Sequence, residues 1–322
     1  MNKLYLLFTF CLVYTSIYSQ NTVEKIHFES ANPYSFNDVI TDLNNQEKQS
    51  VFGELVIPND TIDDGRKYPL VIGVAGSLGW GEHHYKYLKM YQDMGIATFE
   101  LNSFKSRGIT STVGTQNEIT MAAMILDAYR AFEALANHPK IDKNRVSITG
   151  WSLGGGVTLF SAWLPLKEAI NKELSFASHL AYYPPCFINP DNTNFSKAPI
   201  HILIGELDNW TPSAPCLDLV DKLKPNTNID VTIYKDSYHS FDRDAPLIRN
   251  ENAYNFSECV FRLDEKGNVL MNYFNIPMSN PFLQKLGFIM CVTRGVDFGG
   301  NTEARLKSFE FSKDFMKRTL FN

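Results

Sequence analysis

RVSITGWSLGGGVTLFSAWL, residues 145–164, runs from a predicted strand through a glycine-rich turn into an apolar helical segment. The turn GWSLGG (150–155) holds the pattern Gly-x-Ser-x-Gly around Ser152. A sharp turn from strand to helix strains the backbone of its central residue, and the residues two before and two after it must then lack side chains. Because this turn raises the Ser152 hydroxyl above the sheet edge, the pattern predicts a nucleophile. The alternative is a tight structural turn without chemistry.

Strands and helices alternate around this turn. Several of the predicted strands are continuous apolar runs, which are typical of strands buried on both faces of a parallel sheet. The predicted strands are 51–57, 68–75, 96–101, 145–150, a segment around Leu180, 198–205 and 229–235, and the predicted helices are 82–94, 116–137, 157–164, 215–223 and 302–320. The alternation predicts an α/β fold with a mostly parallel, doubly wound sheet flanked by helices, in one domain over residues 20–322. It stops after residue 245, and residues 246–300 are interpreted as an insertion before the last helix.

Composition and charge are those of a globular protein without a nucleic-acid partner. Of the 322 residues, 44% are hydrophobic and 20% are charged. The 30 Lys and Arg against 35 Asp and Glu give a net charge of -5, and no basic block is present. Nucleic-acid binding needs such a block, so this class of partner is not expected. The sequence carries no signal for an oligomeric state.

Residues 1–19 have the pattern of a cleaved secretory signal peptide: Lys3, an apolar run, then small residues before Gln20. The pattern predicts a secreted or periplasmic protein whose mature chain contains no membrane span, because no later segment is long and apolar enough to cross a bilayer. An uncleaved membrane anchor is the alternative.

Four cysteines remain after the predicted leader, and they contain no CxxC pair. An even number in an exported chain favours two disulfides over a zinc site. Of the three possible pairings, placement favours Cys186 with Cys216, beside the predicted active site, and Cys259 with Cys291, which bracket the insertion. Free buried thiols are the alternative.

The partners of Ser152 are expected in the chain order serine, acid, histidine. His239 follows the strand at 229–235, where a loop can reach back over the sheet edge, and it is predicted to be the base. Asp208 follows the strand at 198–205 and is favoured as the acid. Glu206, two residues earlier, is its competitor.

Two backbone amides are expected to bind a developing oxyanion. Leu153 follows the nucleophile at the positive end of a helix, and Ser77 lies in the glycine-rich loop at 75–81, where the backbone can approach closely. His83 and His84 come next and are expected at the surface or at the edge of the substrate site. Adjacent histidines on a helix face different directions, so no metal site is predicted there.

Several of these segments resemble the dienelactone hydrolase family. The resemblance covers about residues 50–245, and its motifs are GSLG (76–79), FELNSFKSRG (99–108), HPKIDKNRVSITGWSLGG (138–155), YYPPC (182–186), IGELDNWTP (204–212) and YHSFD (238–242). It implies an α/β-hydrolase fold with the catalytic roles on Ser152, Asp208 and His239. The founding members carry a cysteine nucleophile, so the serine here implies a general serine esterase. Arg107 is similar in place to an arginine that binds the substrate carboxylate in some members; a surface turn is the alternative.

The expected activity is therefore hydrolysis of a carboxylic ester or lactone, with a small molecule or a sugar ester as the substrate and no metal or organic cofactor. GWSLGG is also similar to the corresponding turn of prolyl-oligopeptidase-type serine peptidases, so a peptidase is one alternative. A hydrolase fold that only binds a ligand is the other, because fold alone does not establish activity.

Overall fold

The computed structural model describes residues 22–58, 65 and 67–321. The predicted leader, residues 1–19, lies outside the described residues. The strands are β1 (Thr22–Ala31), β2 (Lys48–Ile57), β3 (Tyr68–Val74), β4 (Ala97–Leu101), β5 (Ile141–Trp151), β6 (Ser178–Tyr182), β7 (Ile188–Pro190), β8 (Ile200–Gly205), β9 (Ile229–Tyr234), β10 (Ile248–Asn255), β11 (Phe261–Leu263), β12 (Val269–Leu270) and β13 (Thr293–Phe298). The helices are α1 (Phe36–Asp42), α2 (Glu82–Asp93), α3 (Met121–Ala136), α4 (Leu153–Phe160), α5 (Leu164–Ile170), α6 (Ser213–Leu223), α7 (Pro281–Ile289) and α8 (Thr302–Leu320), with short 3-10 helices at Leu43–Asn45 and Lys105–Arg107.

The main sheet has eight strands in the order β1-β2-β4-β3-β5-β6-β8-β9. All neighbours from β4 to β9 are parallel, whereas β2 is antiparallel to both β1 and β4. The predicted α/β class and mostly parallel sheet are confirmed. Strand β1, at the sheet edge, was not predicted from the sequence. From residue 23 to 29 its side chains alternate between exposed and half-buried, so it lacks the long apolar run that marks the central strands.

Helix α3 begins later than the pattern predicts, at Met121 rather than residue 116. The Thr120 hydroxyl caps it by accepting a hydrogen bond from the Ala123 N–H, and such a cap fixes a helix start. Gln116 has a positive φ of 58°, which is incompatible with an α-helix. The apolar segment at 157–164 is divided between α4 and α5. Within residues 22–58, 65 and 67–321, no helix is long and apolar enough to cross a membrane.

The segment at 246–300, interpreted as an insertion and called so below, contains the strands β10 to β13 and helix α7. Strand β10 pairs with β13, and β11 lies between β12 and β7. Strand β7 follows the carboxyl end of β6, so this pairing attaches the insertion to the edge of the main sheet where the parallel strands end. The insertion is therefore positioned beside the turn that carries Ser152.

Candidate active site

Ser152 occupies the strained turn between β5 and α4, with φ 57° and ψ -115°. Glycine is required at positions 150 and 154 because no space is left there for a side chain. A Cβ on Gly150 would lie 2.2 Å from the carbonyl oxygen of Gly154, and a Cβ on Gly154 would lie 2.2 Å from the carbonyl oxygen of Val74. No side chain fits at such distances, so the turn can form only with glycine at both positions.

The structure brings Ser152, His239 and Asp208 together in one chain of hydrogen bonds. Ser152 Oγ lies 2.9 Å from His239 Nε2, and His239 Nδ1 lies 2.7 Å from Asp208 Oδ2. The three residues follow β5, β9 and β8, whose carboxyl ends share one edge of the parallel sheet. The competing acid Glu206 is exposed, and its carboxylate accepts from the backbone N–H of Asp236 instead. The geometry therefore places Asp208, and not Glu206, beside the imidazole.

Asp208 is held by the loop that carries it. Its Oδ1 accepts hydrogen bonds from the backbone N–H groups of Trp210 and Thr211, at 2.9 and 2.8 Å, and its Oδ2 accepts from the Thr211 hydroxyl at 3.1 Å. Hydrogen bonds to a charged acceptor are stronger than those between neutral groups, so this loop stabilises the carboxylate and fixes its direction. No role for Trp210 or Thr211 was predicted from the sequence. The available signal was the Asp-x-x-Thr pattern, because an aspartate often accepts from the backbone two and three residues later.

A second buried carboxylate anchors the loop that carries His239. Asp242 accepts from the Tyr183 hydroxyl at 2.9 Å and from Trp151 Nε1 at 3.1 Å. Burial raises the pKa of Asp242 to about 6. The Tyr183 ring also contacts the His239 ring, at 4.5 Å between centroids. Asp242 thus ties the histidine loop to the ends of β5 and β6, a role that its place in a polar loop did not indicate.

The two residues whose amides are expected to bind an oxyanion, Leu153 and Ser77, line the same cavity. Leu153 is the first residue of α4, so its N–H has no partner within the helix. Ser77, Leu153 and Ser152 line one cavity. The loop before Ser77 passes so close to the nucleophile that a Cβ on Gly76 would lie 3.2 Å from Ser152 Cβ.

The expectation for His83 and His84 is corrected, because both are buried. Their ring centroids lie 3.8 Å apart, and His84 Nδ1 accepts from the Gly81 N–H at 3.1 Å. Burial lowers the pKa of His83 to about 3, so this ring is neutral at physiological pH. Over the residues that the structure describes, no cluster of three or more His, Cys, Asp or Glu could hold a metal ion.

The expectation for Arg107 is also corrected, because it lies in a buried ion pair and is not among the described residues that line the cavity with Ser152. Its side chain is only 7% exposed, and its guanidinium donates to both carboxylate oxygens of Asp127, at 2.7 and 3.1 Å. The remaining N–H groups donate to Asn32 and to the backbone oxygens of Ser103 and Ala31. Every donor of the side chain is used, so none is left for a substrate carboxylate. Neither a substrate contact nor a surface turn describes this residue.

The four cysteines form two bonds, Cys186–Cys216 and Cys259–Cys291. These are the pairs that placement along the chain favours. The first joins the segment after β6 to α6, the helix that follows the Asp208 loop. The second joins two parts of the insertion.

A cavity of about 150 Å³ opens beside Ser152. Its walls come from α3, from the segment after β6, from the Asp208 loop and from the insertion. The insertion supplies three phenylalanines to it: Phe256, Phe261 and Phe288.

Comparison with known proteins gives one family and a set of similar folds. Residues 94–258 match the Dienelactone hydrolase family. No curated protein matches the sequence significantly. A solved structure titled m3DLH has a TM-score of 0.58 at 12% identity, covering 93% of this chain and 99% of the other. A dienelactone hydrolase-like promiscuous phosphotriesterase, P91, from metagenomic libraries has a TM-score of 0.52 at 12% identity, covering 92% and 98%.

A peptidase structure is also similar. A putative dipeptidyl aminopeptidase IV from Bacteroides ovatus has a TM-score of 0.51 at 17% identity. The match covers 70% of this chain but only 34% of that protein, so the chain spans about a third of its length. At these identities the solved structures establish a shared α/β-hydrolase fold and nothing finer.

Proposed function

Because this chain belongs to the dienelactone hydrolase family, we propose that it hydrolyses carboxylic esters or lactones through a Ser-His-Asp acyl-enzyme mechanism. The observation that carries the proposal is the continuous set of hydrogen bonds from Ser152 through His239 to Asp208. Ser152, at one end of this set, lines a cavity that can hold a substrate. The substrate is a small molecule or a sugar ester, and the mechanism requires no cofactor.

In the first half of the reaction, Ser152 Oγ attacks the acyl carbonyl carbon while His239 Nε2 takes its proton. Asp208 holds the imidazole in the tautomer that can accept this proton and stabilises the imidazolium that forms. The carbonyl oxygen becomes an oxyanion and is bound by the N–H groups of Leu153 and Ser77. When the tetrahedral intermediate collapses, the bond to the alcohol breaks and the alcohol leaves with the proton from His239.

Water completes the second half by the same steps in reverse order. His239 takes a proton from a water molecule as its oxygen attacks the acyl carbon on Ser152. The collapse of the second intermediate breaks the ester bond to Ser152, returns the proton to the serine oxygen and releases the acid. A lactone follows the same course, with the alcohol and the acid released as one molecule.

The change Ser152→Ala tests this proposal directly. We expect the fold to remain, and ester turnover to fall by several powers of ten, as it does when a triad member is removed. A fluorophosphonate probe should label the unchanged protein at Ser152 and leave the variant unlabelled. Ser50→Ala, at an exposed serine on β2, is the matched control and should keep both labelling and turnover.

A panel of short acyl esters, acetylated sugars, lactones and aminoacyl amides defines the reaction class. Turnover of esters without turnover of amides agrees with the proposal. Preferential cleavage of aminoacyl amides would instead favour a peptidase. Absence of labelling and of all turnover would favour a fold that only binds a ligand.

We also propose that the protein acts outside the cytoplasm, as a secreted or periplasmic protein. Its two disulfides support this location, because such bonds persist in oxidising compartments. The leader proposed at residues 1–19 is tested by amino-terminal sequencing of the exported protein. The sequence should begin at Gln20, and an unprocessed amino terminus would contradict the proposal.

A further inference from the structure

The cavity beside Ser152 is placed to hold the acyl part of a substrate. Ser152 and the two residues with oxyanion amides, Ser77 and Leu153, line it. The alcohol must leave with the proton from His239 Nε2 and therefore departs past that ring. His239 is not among the described residues that line the cavity. A group that fills the cavity thus stays attached to the carbonyl carbon, on the side away from the leaving alcohol.

The insertion builds an aromatic wall around this cavity. The Phe256 and Phe288 rings meet edge to face at 5.2 Å, and the Phe261 and Phe288 rings are stacked at 5.8 Å. Phe187, from the segment after β6, stacks on Phe256 at 4.6 Å. Cys259 lies between Phe256 and Phe261 in the chain, and Cys291 follows Phe288, so the bond ties together the two segments that carry these three rings. The wall is therefore a folded and covalently closed part of the insertion.

The walls of the cavity are uncharged over the residues that the structure describes. None of the described residues that line it is Asp, Glu, Lys, Arg or His. Arg107, the residue that could have paired with an anion, is used completely by Asp127 and neighbouring oxygens. A carboxylate placed in this cavity would lose its water without gaining a cationic partner, which is unfavourable.

The size of the cavity limits the acyl group. Its volume is about 150 Å³. An apolar protein cavity of about 150 Å³ accepts a benzene molecule. A benzoyl or hexanoyl group therefore fills the space, an acetyl group leaves most of it empty, and a decanoyl group exceeds it.

From these observations we propose that the enzyme selects uncharged, apolar acyl groups of about the size of a phenyl ring, and that the aromatic wall of the insertion makes this selection. The inference rests on the proposed ester hydrolysis at Ser152. It adds the acid part of the substrate, which the catalytic residues alone do not specify.

The first test compares p-nitrophenyl esters that share one leaving group. We expect kcat/KM for hexanoate to exceed that for acetate by about 10²-fold, because the additional methylenes are buried in the cavity. Benzoate should also exceed acetate, because its ring fills the cavity. Decanoate should fall below hexanoate. The hydrogen succinate ester, which carries a carboxylate where the butyrate ester carries a methyl group, should react at least ~10²-fold more slowly than butyrate.

The second test changes the wall with a matched control on the same helix. Phe288→Ala removes a ring that lines the cavity, and we expect the hexanoate-to-acetate ratio of kcat/KM to fall about tenfold or more. Phe282→Ala removes a ring of α7 that is 74% exposed, and the ratio should stay unchanged. Val269→Phe is a second variant that does not depend on the folding of the first. It narrows the cavity at a half-buried position and should lower hexanoate turnover more than acetate turnover.

The outcomes separate the acyl selection from the reaction itself. If acetate is hydrolysed and Ser152 is labelled, but acetate, hexanoate and hydrogen succinate react equally well, the acyl selection is wrong and the ester hydrolysis stands. An unchanged ratio in both Phe288→Ala and Val269→Phe also overturns the role of the wall. If no ester reacts and Ser152 takes no label, the proposed function itself fails.

Discussion

Asp208→Asn keeps the shape of the side chain but replaces one carboxylate oxygen with an amide nitrogen, and the structure determines which one. Oδ1 of Asp208 accepts from two backbone N–H groups, those of Trp210 and Thr211. An amide nitrogen at that position would place its N–H groups against these two backbone N–H groups in a buried site, with no acceptor between them. The oxygen of the asparagine must therefore remain there. The nitrogen then takes the position of Oδ2, which lies 2.7 Å from His239 Nδ1.

This orientation reverses the tautomer of His239. The amide nitrogen donates to Nδ1, so the ring proton moves to Nε2 and points toward Ser152 Oγ. In that state the imidazole cannot accept the serine proton. The same exchange in serine proteases lowers kcat by about 10⁴. A factor of 10⁴ corresponds to ~5.4 kcal/mol, at ~1.36 kcal/mol for each tenfold change.

The assay is kcat for p-nitrophenyl hexanoate at neutral pH, with thermal unfolding of each variant to show that the fold is intact. Glu206→Gln is the control, because this carboxylate is exposed and accepts a hydrogen bond from the Asp236 N–H. We expect it to change kcat by less than about twofold, as surface changes away from a site usually do. The reasoning is refuted if Asp208→Asn keeps a rate within tenfold of the unchanged enzyme. A large loss in Glu206→Gln instead would move the acid to that residue.

Two further predictions concern stability. Arg107→Ala leaves Asp127 buried without its cationic partner, so we expect the free energy of unfolding in urea to fall by ~3–5 kcal/mol. Arg262→Ala, at an exposed ion pair, should leave this free energy nearly unchanged. Equal losses, or a KM increase limited to anionic esters in Arg107→Ala, would contradict the buried structural role. Burial lowers the pKa of His179 to about 4, so the unfolded chain binds a proton below about pH 6.5 that the folded protein does not. The free energy of unfolding should therefore contain the full contribution of His179 above about pH 6.5. This contribution, up to ~3 kcal/mol, should be lost as the pH falls toward 4. The loss of stability at low pH should be smaller in His179→Gln. If the free energy of unfolding depends on pH identically in the variant and in the unchanged protein, another group is responsible.

The parts of the fold that follow from the sequence are those encoded within a few neighbouring residues. The apolar runs place the central strands, and the glycines around Ser152 specify the strained turn because only they fit its contacts. The chain order of nucleophile, acid and base gives the loops of Asp208 and His239, since parallel strands bring their carboxyl ends to one edge. The helix at Thr302–Leu320 has the bounds that its sequence pattern predicts.

Tertiary structure decided the contacts between distant segments. The choice between Asp208 and Glu206 depends on which side chain turns inward, and two residues of separation in one loop do not encode that. Arg107 looked like a surface or substrate residue because its partner, Asp127, lies on another element and is reached only when α3 packs beside it. Strand β1 is an edge strand without a long apolar run, so its own sequence does not indicate a strand. Its pairing with β2 identifies it as one.

The insertion shows most clearly the difference between what local sequence predicts and what only tertiary packing decides. Its turns and aromatic residues are visible in the sequence, but their use as a wall beside Ser152 depends on the pairing of β11 with β7, two strands more than seventy residues apart in the chain. Local patterns set which residues turn, extend or coil, because backbone sterics and hydrophobic period act over a few residues. The acyl cavity, the buried ion pair and the position of each carboxylate depend on packing over the whole chain, because each needs two surfaces that meet only after folding.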